Sequence, residues 1–227
     1  MGKIVVDFMI DQFKPEKFAE LYSSNIALPD GDVGVSVELD GTFTLPKYEF
    51  YAYKNSQTHL ILLTGDAQPR QWGQYSVAKS VLDFVEVLGC HSLMAVGGYA
   101  LSKPDTSIIY GVASEPETVT ELKKFNVQPA QTGMIKGAFG VMLGLGKARN
   151  MRCVGLLGST VGTYPDLRTA RNVLQVITSM FDLAIDFNEL DSRIDDLENK
   201  VKRFKDLSGI TLTKESQEGG LSRGYIT

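Results

Sequence analysis

Three apolar runs along the chain end in glycine: residues 59–65 (HLILLTG), 92–98 (SLMAVGG) and 152–158 (RCVGLLG). Near-continuous apolar character over five or six positions, closed by a turn residue, predicts strands buried on both faces of a sheet. Helical spacing follows each run. Residues 76–89 place Val77, Val81, Phe84, Val85 and Leu88 on one face, with Gly89 as the stop. Residues 116–125 (PETVTELKKF) carry acids first and lysines last, in keeping with the helix dipole. Residues 166–182 (DLRTARNVLQVITSMFD) form the third helical stretch. Strand and helix in that alternation predict an α/β domain with a mainly parallel sheet.

Other segments follow different periods. Residues 33–54 alternate apolar with polar and hold Asp40-Gly41 between two extended runs, a hairpin signal that predicts an antiparallel addition to the sheet or its edge. Residues 133–150 are glycine-rich, and Gly137, Gly140 and Gly144 stand three and four apart. That spacing reads as one face of a helix packed closely on a neighbour rather than as a ligand loop, because no strand precedes it where a dinucleotide fingerprint needs one. Near the C-terminus Leu190, Ile194, Leu197, Val201 and Phe204 form an amphipathic stripe, and Asp186 with Glu189 suits a capping box at its start. The helix packs on its own domain or meets a neighbouring subunit as well; the stripe is too short to separate these. From 209 onward the chain is polar and glycine-rich until Tyr225 and Ile226, so a single domain over 1–208 and a flexible tail over 209–227 are expected.

Composition narrows the chemistry. Among 227 residues the formal charge is −4, so a nucleic-acid footprint is not expected. No apolar run reaches the roughly 18–20 residues of a membrane span, and a cytoplasmic location is expected. Cys90 and Cys153 lie beside apolar runs and read as buried thiols. His59 and His91 mark strand starts and lack metal-ligand spacing; no metal and no cofactor are expected. Neither a G-x-S-x-G elbow nor a G-K-[ST] phosphate loop is present.

The stretch GSTVGTYPDLRTARNVLQVI (158–177) raises the nucleotide question most directly, since glycines and hydroxyls lead from an apolar run into a helix. Its Thr163-Tyr164-Pro165-Asp166 segment reads as helix-start chemistry, with Asp166 at the positive end of the dipole where an anion would otherwise sit.

Several motifs together carry a family resemblance: LLTGDAQP (62–69), the run into VGG (96–98), LLGSTVGTYPDLRTARNVL (156–174) and DFNELDSRIDDLENKV (186–201). In order, and over nearly the whole chain, they resemble the proteasome assembly chaperone 2 family in its archaeal form. The most specific part is the G-x-T-x-G-x-x-P-D core of Gly158, Thr160, Gly162, Pro165 and Asp166. The resemblance implies a three-layer α/β/α fold of the nucleoside phosphorylase type. It also implies homo-oligomers of three to five subunits and an ATP-independent chaperone that contacts proteasome core α-subunits. Two departures stand out. Family members begin with a strand and a glycine-rich loop ahead of the first helix, whereas Met1–Asp7 here reads as that helix itself, so the first family strand is expected to be missing. The family's C-terminal hydrophobic-tyrosine-any tripeptide docks between α-subunits; here Tyr225, Ile226 and Thr227 match it only in degenerate form.

Two functions of different class follow. One is a non-catalytic, oligomeric protein-binding role on proteasome core subunits, using the tail residues Tyr225, Ile226 and Thr227. The other is a small-molecule or nucleotide enzyme using the crevice at the carboxyl ends of the strands, with Thr64, Asp66, Gly97, Gly98, Ser159, Thr160 and Asp166 as its candidate groups.

Overall fold

The computed structural model describes residues 1–55, 58–102, 104–162 and 166–197. The chain opens with α1 (Gly2–Phe13), as the family resemblance implies, and this helix ends at Lys14 in the left-handed region. Three strands then form an antiparallel sheet in the order β1 (Glu16–Leu21), β4 (Tyr48–Lys54), β5 (His59–Gly65). Between β1 and β4 the chain makes a separate ribbon from β2 (Ser36–Val37) and β3 (Phe43–Thr44). A second sheet of four strands has the order β6 (Ser92–Ala100), β9 (Arg152–Thr160), β7 (Ile109–Ala113), β8 (Val127–Pro129).

The pairing is mixed. β6 runs parallel to β9 and β7 parallel to β8, but β7 is antiparallel to β9. The apolar run at 59–65, expected to lie in a parallel sheet, instead pairs antiparallel with β4. Only four residues separate the two strands, and so short a connection allows only an antiparallel pair.

Helices cover both faces. On one side lie α1 and α5 (Leu167–Phe181), joined by the helical residues 188–197; on the other lie α2 (Gln74–Val87) and α4 (Gly137–Ala148). α3 (Pro116–Leu122) packs beside β7. Strand alternation distributes β5 between the two cores: Leu60 and Leu62 join Val5, Phe8, Leu156 and Val173, while Ile61 and Leu63 join Val77, Val81, Leu82 and Phe50. β6 divides likewise, with Met94 and Val96 on the α1 side and Leu93 on the α2 side. The two sheets thus belong to one central layer. β5 and β6 are its inner edges and do not pair with each other; α1 lies over both. β9, flanked by β6 and β7, is buried from Cys153 to Thr160.

Helix ends follow the local rules. Gly89 stops α2 at φ +81°, where a side chain would be strained. Asp166 caps α5, its carboxylate accepting from the Thr169 N–H at 2.9 Å. At the last helix Asp186 accepts from the Asn188 N–H at 2.9 Å, but Glu189 does not complete the capping box; it pairs with Arg193 at 2.6 Å, the partner one turn ahead. Leu190 and Ile194 are buried in the chain's own core and Leu197 is partly exposed. Val201 and Phe204, with the tail, fall outside the described residues.

The glycine face expected on α4 is also differently placed. Gly137 starts the helix at φ +77°, and Gly140 backs onto the carbonyl of Ile135. Gly144 faces open space. The close approach is made by Gly146, where an added Cβ would meet Cys153 Sγ at 2.7 Å and Leu93 at 3.1 Å.

Candidate functional site

The carboxyl ends of β6 and β9 meet the start of α5, and five of the seven candidate crevice residues come together there. Gly97 and Gly98 lie on β6 opposite Leu157 and Gly158 of β9. A Cβ on Gly98 would stand 3.1 Å from Thr160 Cγ2, and one on Gly97 3.0 Å from the Phe139 ring, so these glycines let neighbours close in rather than leave room for a ligand. The Thr169 hydroxyl donates to the Ser159 carbonyl at 3.0 Å, tying α5 to the strand end. Gly162 N–H donates to Thr160 Oγ1 at 3.3 Å, and Gly162 turns the chain at φ +78°. Asp166 is engaged as the α5 cap, with its negative charge at the helix N-terminus. Ser159 is fully buried, and among the described residues its hydroxyl has no hydrogen-bond partner.

Thr64 and Asp66 have partners of their own. The Thr64 hydroxyl donates to Asp7 Oδ1 at 2.7 Å, and Asp7 is paired with Lys3 at 3.1 Å, which fastens α1 to the end of β5. Asp66 accepts from the Lys47 N–H at 3.1 Å and donates its own N–H to the Lys47 carbonyl at 3.3 Å, closing the β4–β5 ladder. Sequence spacing alone offered no signal for Asp7 or Lys47, because each is brought in by a long-range contact.

Nucleophile chemistry is poorly supplied. His59 begins β5 and His91 immediately precedes β6, so both stand at the ends of their strands opposite the crevice. Cys90 and Cys153 are free thiols, and burial pushes both above the ordinary thiol value, which leaves them protonated and weakly nucleophilic at neutral pH. Among the described residues no group of three or more His, Cys, Asp or Glu is placed to hold a metal ion, and no helix is long and apolar enough to cross a membrane.

A 330 Å³ open cleft lies between α5 and the last helix, lined in part by Thr106, Arg171, Asn172 and Asp191. Four of its polar groups pair with one another. Arg171 binds the Asp191 carboxylate at 2.7 and 3.3 Å and stacks over the Phe187 ring, and the Asn172 amide donates to the Thr106 carbonyl at 2.9 Å. The cleft is a helix-to-helix clasp.

The fold and its strand ends define a three-layer α/β protein whose candidate crevice is packed with its own side chains. The PAC2 family profile matches residues 1–205, and the chain belongs to the PAC2 family. An uncharacterized protein of Methanocaldococcus jannaschii is 26% identical over 91% of this chain and 80% of its own length. Among solved structures, PbaB of Pyrococcus furiosus, described as an archaeal proteasome activator, is 29% identical with a TM-score of 0.80, over 89% of this chain and 87% of that one. PbaA of the same organism, described as an archaeal homolog of proteasome-assembly chaperone, has the same fold at 21% identity and a TM-score of 0.74, over 91% of this chain and 83% of that one.

Proposed function

We propose that this protein is a non-catalytic, ATP-independent binding protein of three to five identical subunits that contacts proteasome core α-subunits as an assembly-chaperone homologue. The observation that carries this reading is the likeness to PbaB, which extends over nearly the whole of both chains. The packed crevice, the protonated thiols and the strand-start histidines support a role without catalysis. Tyr225, Ile226 and Thr227 are the proposed contact with the core particle, through their side chains.

Capture of purified core particle by the full chain and by a chain ending at Gly209 tests the proposal. Recovery by the full chain and not by the shortened one is the expected result. Equal recovery removes the tail's role, and no recovery by either removes the partner assignment.

One observation favours a second reading. The buried, unpartnered Ser159 hydroxyl sits at the strand ends, where open α/β sheets bind small molecules. A thermal-shift screen against nucleosides, nucleotides and phosphate separates the two, since a ligand at a hundredfold excess over its Kd stabilises by about 2.7 kcal/mol. A flat screen removes the second reading.

A further inference from the structure

The β2–β3 ribbon is inside out. It closes through Glu38 and Thr42, whose backbones bond at 2.8 Å, around Asp40 and Gly41, the glycine at φ +84°. Its register sets Val37 opposite Phe43 on one face and Ser36 opposite Thr44 on the other. Ser36 and Thr44, and Gly34 just before the ribbon, are half-buried. The apolar residues of the ribbon and its flanks face solvent: Val33 is 87% exposed, Val37 70%, Phe43 71% and Leu45 55%, and Val35 and Leu39 are exposed as well. The ribbon was expected to extend a sheet; it joins neither. A two-stranded ribbon on its own is marginal in water.

Two exposed aromatics stand at its base. The Arg70 guanidinium donates to the Gly31 carbonyl at 2.9 Å and lies 5.5 Å over the Trp72 ring, which sets Trp72 beside the root of the ribbon, with Tyr75 one turn further on. Trp72 is 75% exposed and Tyr75 67%.

We infer that this face is covered by a second copy of the chain. The six residues together expose on the order of 700–800 Å², close to what each partner gives to a stable interface and above the few hundred Å² that a monomer ordinarily shows. The Val37–Phe43 face carries no charge, and Glu38, the next residue along, takes the opposite one, so two copies meet through Val37 and Phe43 without opposing like charges although each chain is formally −4. Tryptophan, tyrosine and arginine at the rim are the side chains on which interface energy concentrates. The inference rests on the homo-oligomer part of the proposed function and not on its proteasome part, so a failed capture of core particle leaves it standing.

The test is solution mass by light scattering, with acrylamide quenching of the chain's single tryptophan, Trp72, as a second readout. The full wild-type chain is compared with a Val37→Glu/Phe43→Glu double variant and with Val87→Glu, a charge placed on an equally exposed valine at the far end of α2. The mass of the double variant is expected to fall at least twofold and its Trp72 to become more readily quenched, with Val87→Glu matching the wild type. Unchanged far-ultraviolet dichroism of the double variant excludes unfolding, because both substituted side chains already face water. A monomeric wild type overturns both the inference and the proposed oligomer. An oligomer whose mass is unchanged in the double variant, or lost equally in Val87→Glu, overturns the ribbon interface alone.

Discussion

Glu20 sits at the hub of a charged cluster on the β1–β4 face. Its carboxylate accepts from Lys17 at 2.7 Å, Lys47 at 2.6 Å and the Tyr22 hydroxyl at 2.6 Å, while Glu49 accepts from the same two lysines and from Tyr51. Hydrogen bonds from Lys17, then Lys47 and Tyr22, hold the Glu20 carboxyl down from its usual 4.5 to about 2. A carboxylate with a depressed folded-state pKa contributes stability that is fully present above 4.5 and is lost as pH falls towards 2. The wild-type urea midpoint is therefore expected to decline through that window, and Glu20→Gln to flatten part of the decline. Parallel midpoint-against-pH curves for the two proteins would contradict the assignment. Asp166 gives a second residue-scale expectation. Asp166→Ala removes the bond to the Thr169 N–H and should cost about 1 kcal/mol, read as a lower Tm, whereas Asp166→Asn keeps a capping oxygen and loses a few tenths.

At the scale of elements, what was legible depended on how locally each element is determined. The runs that became β5, β6 and β9 are continuous in sequence because each strand is covered by helices on two faces. The helices α2, α3 and α5 were legible from their caps, stops and periods for the same local reason. β1 (Glu16–Leu21) was not legible: it is an edge strand, mostly exposed, and EKFAEL carries charges where a buried strand would be apolar. β8, with three residues, is defined by its pairing with β7. The site shows the same division. The Asp166 cap was readable from its neighbours, but the roles of Thr64 and Asp66 depend on Asp7 and Lys47, which only the fold delivers. The glycines of α4 were misassigned because a three-and-four spacing says which residues share a face and nothing about which face meets a strand. This distinction has a measurable form. Gly144→Ala should stabilise by about 1 kcal/mol, since it gains helix propensity and an added Cβ meets nothing within 4 Å. Gly146→Ala should destabilise, because Cys153 of β9 and Leu93 of β6 stand where the Cβ would go and are packed in the core. Denaturant titration of the pair decides it; equal shifts would mean that α4 does not approach β9 through Gly146.

For the whole molecule, the central question is whether two unpaired sheets fold as one unit. β5 and β6 share no ladder, so backbone hydrogen bonding does not join the halves. The side chains do. Each core draws residues from both sheets, and α1 lies across the division with Val5 fully buried, Phe8 and Met9 nearly so, and Gly2 backed against the Val96 carbonyl of β6. Midway along the helix, Asp7 is fastened to Thr64 of β5. α1 therefore acts as the clasp between the halves, and loosening it should weaken both together. Phe8→Ala is expected to cost about 3–5 kcal/mol, the usual penalty for emptying a buried aromatic site. Trp72 fluorescence follows the region where α2 begins, and far-ultraviolet dichroism follows the whole chain. In the wild type the two should trace one transition, and in Phe8→Ala both should move to lower denaturant by the same amount. If the variant instead separates into two steps, with the Trp72 signal keeping its wild-type midpoint, each sheet and its helices would be a unit in its own right. The two cores would then not carry the coupling that their shared residues assign to them.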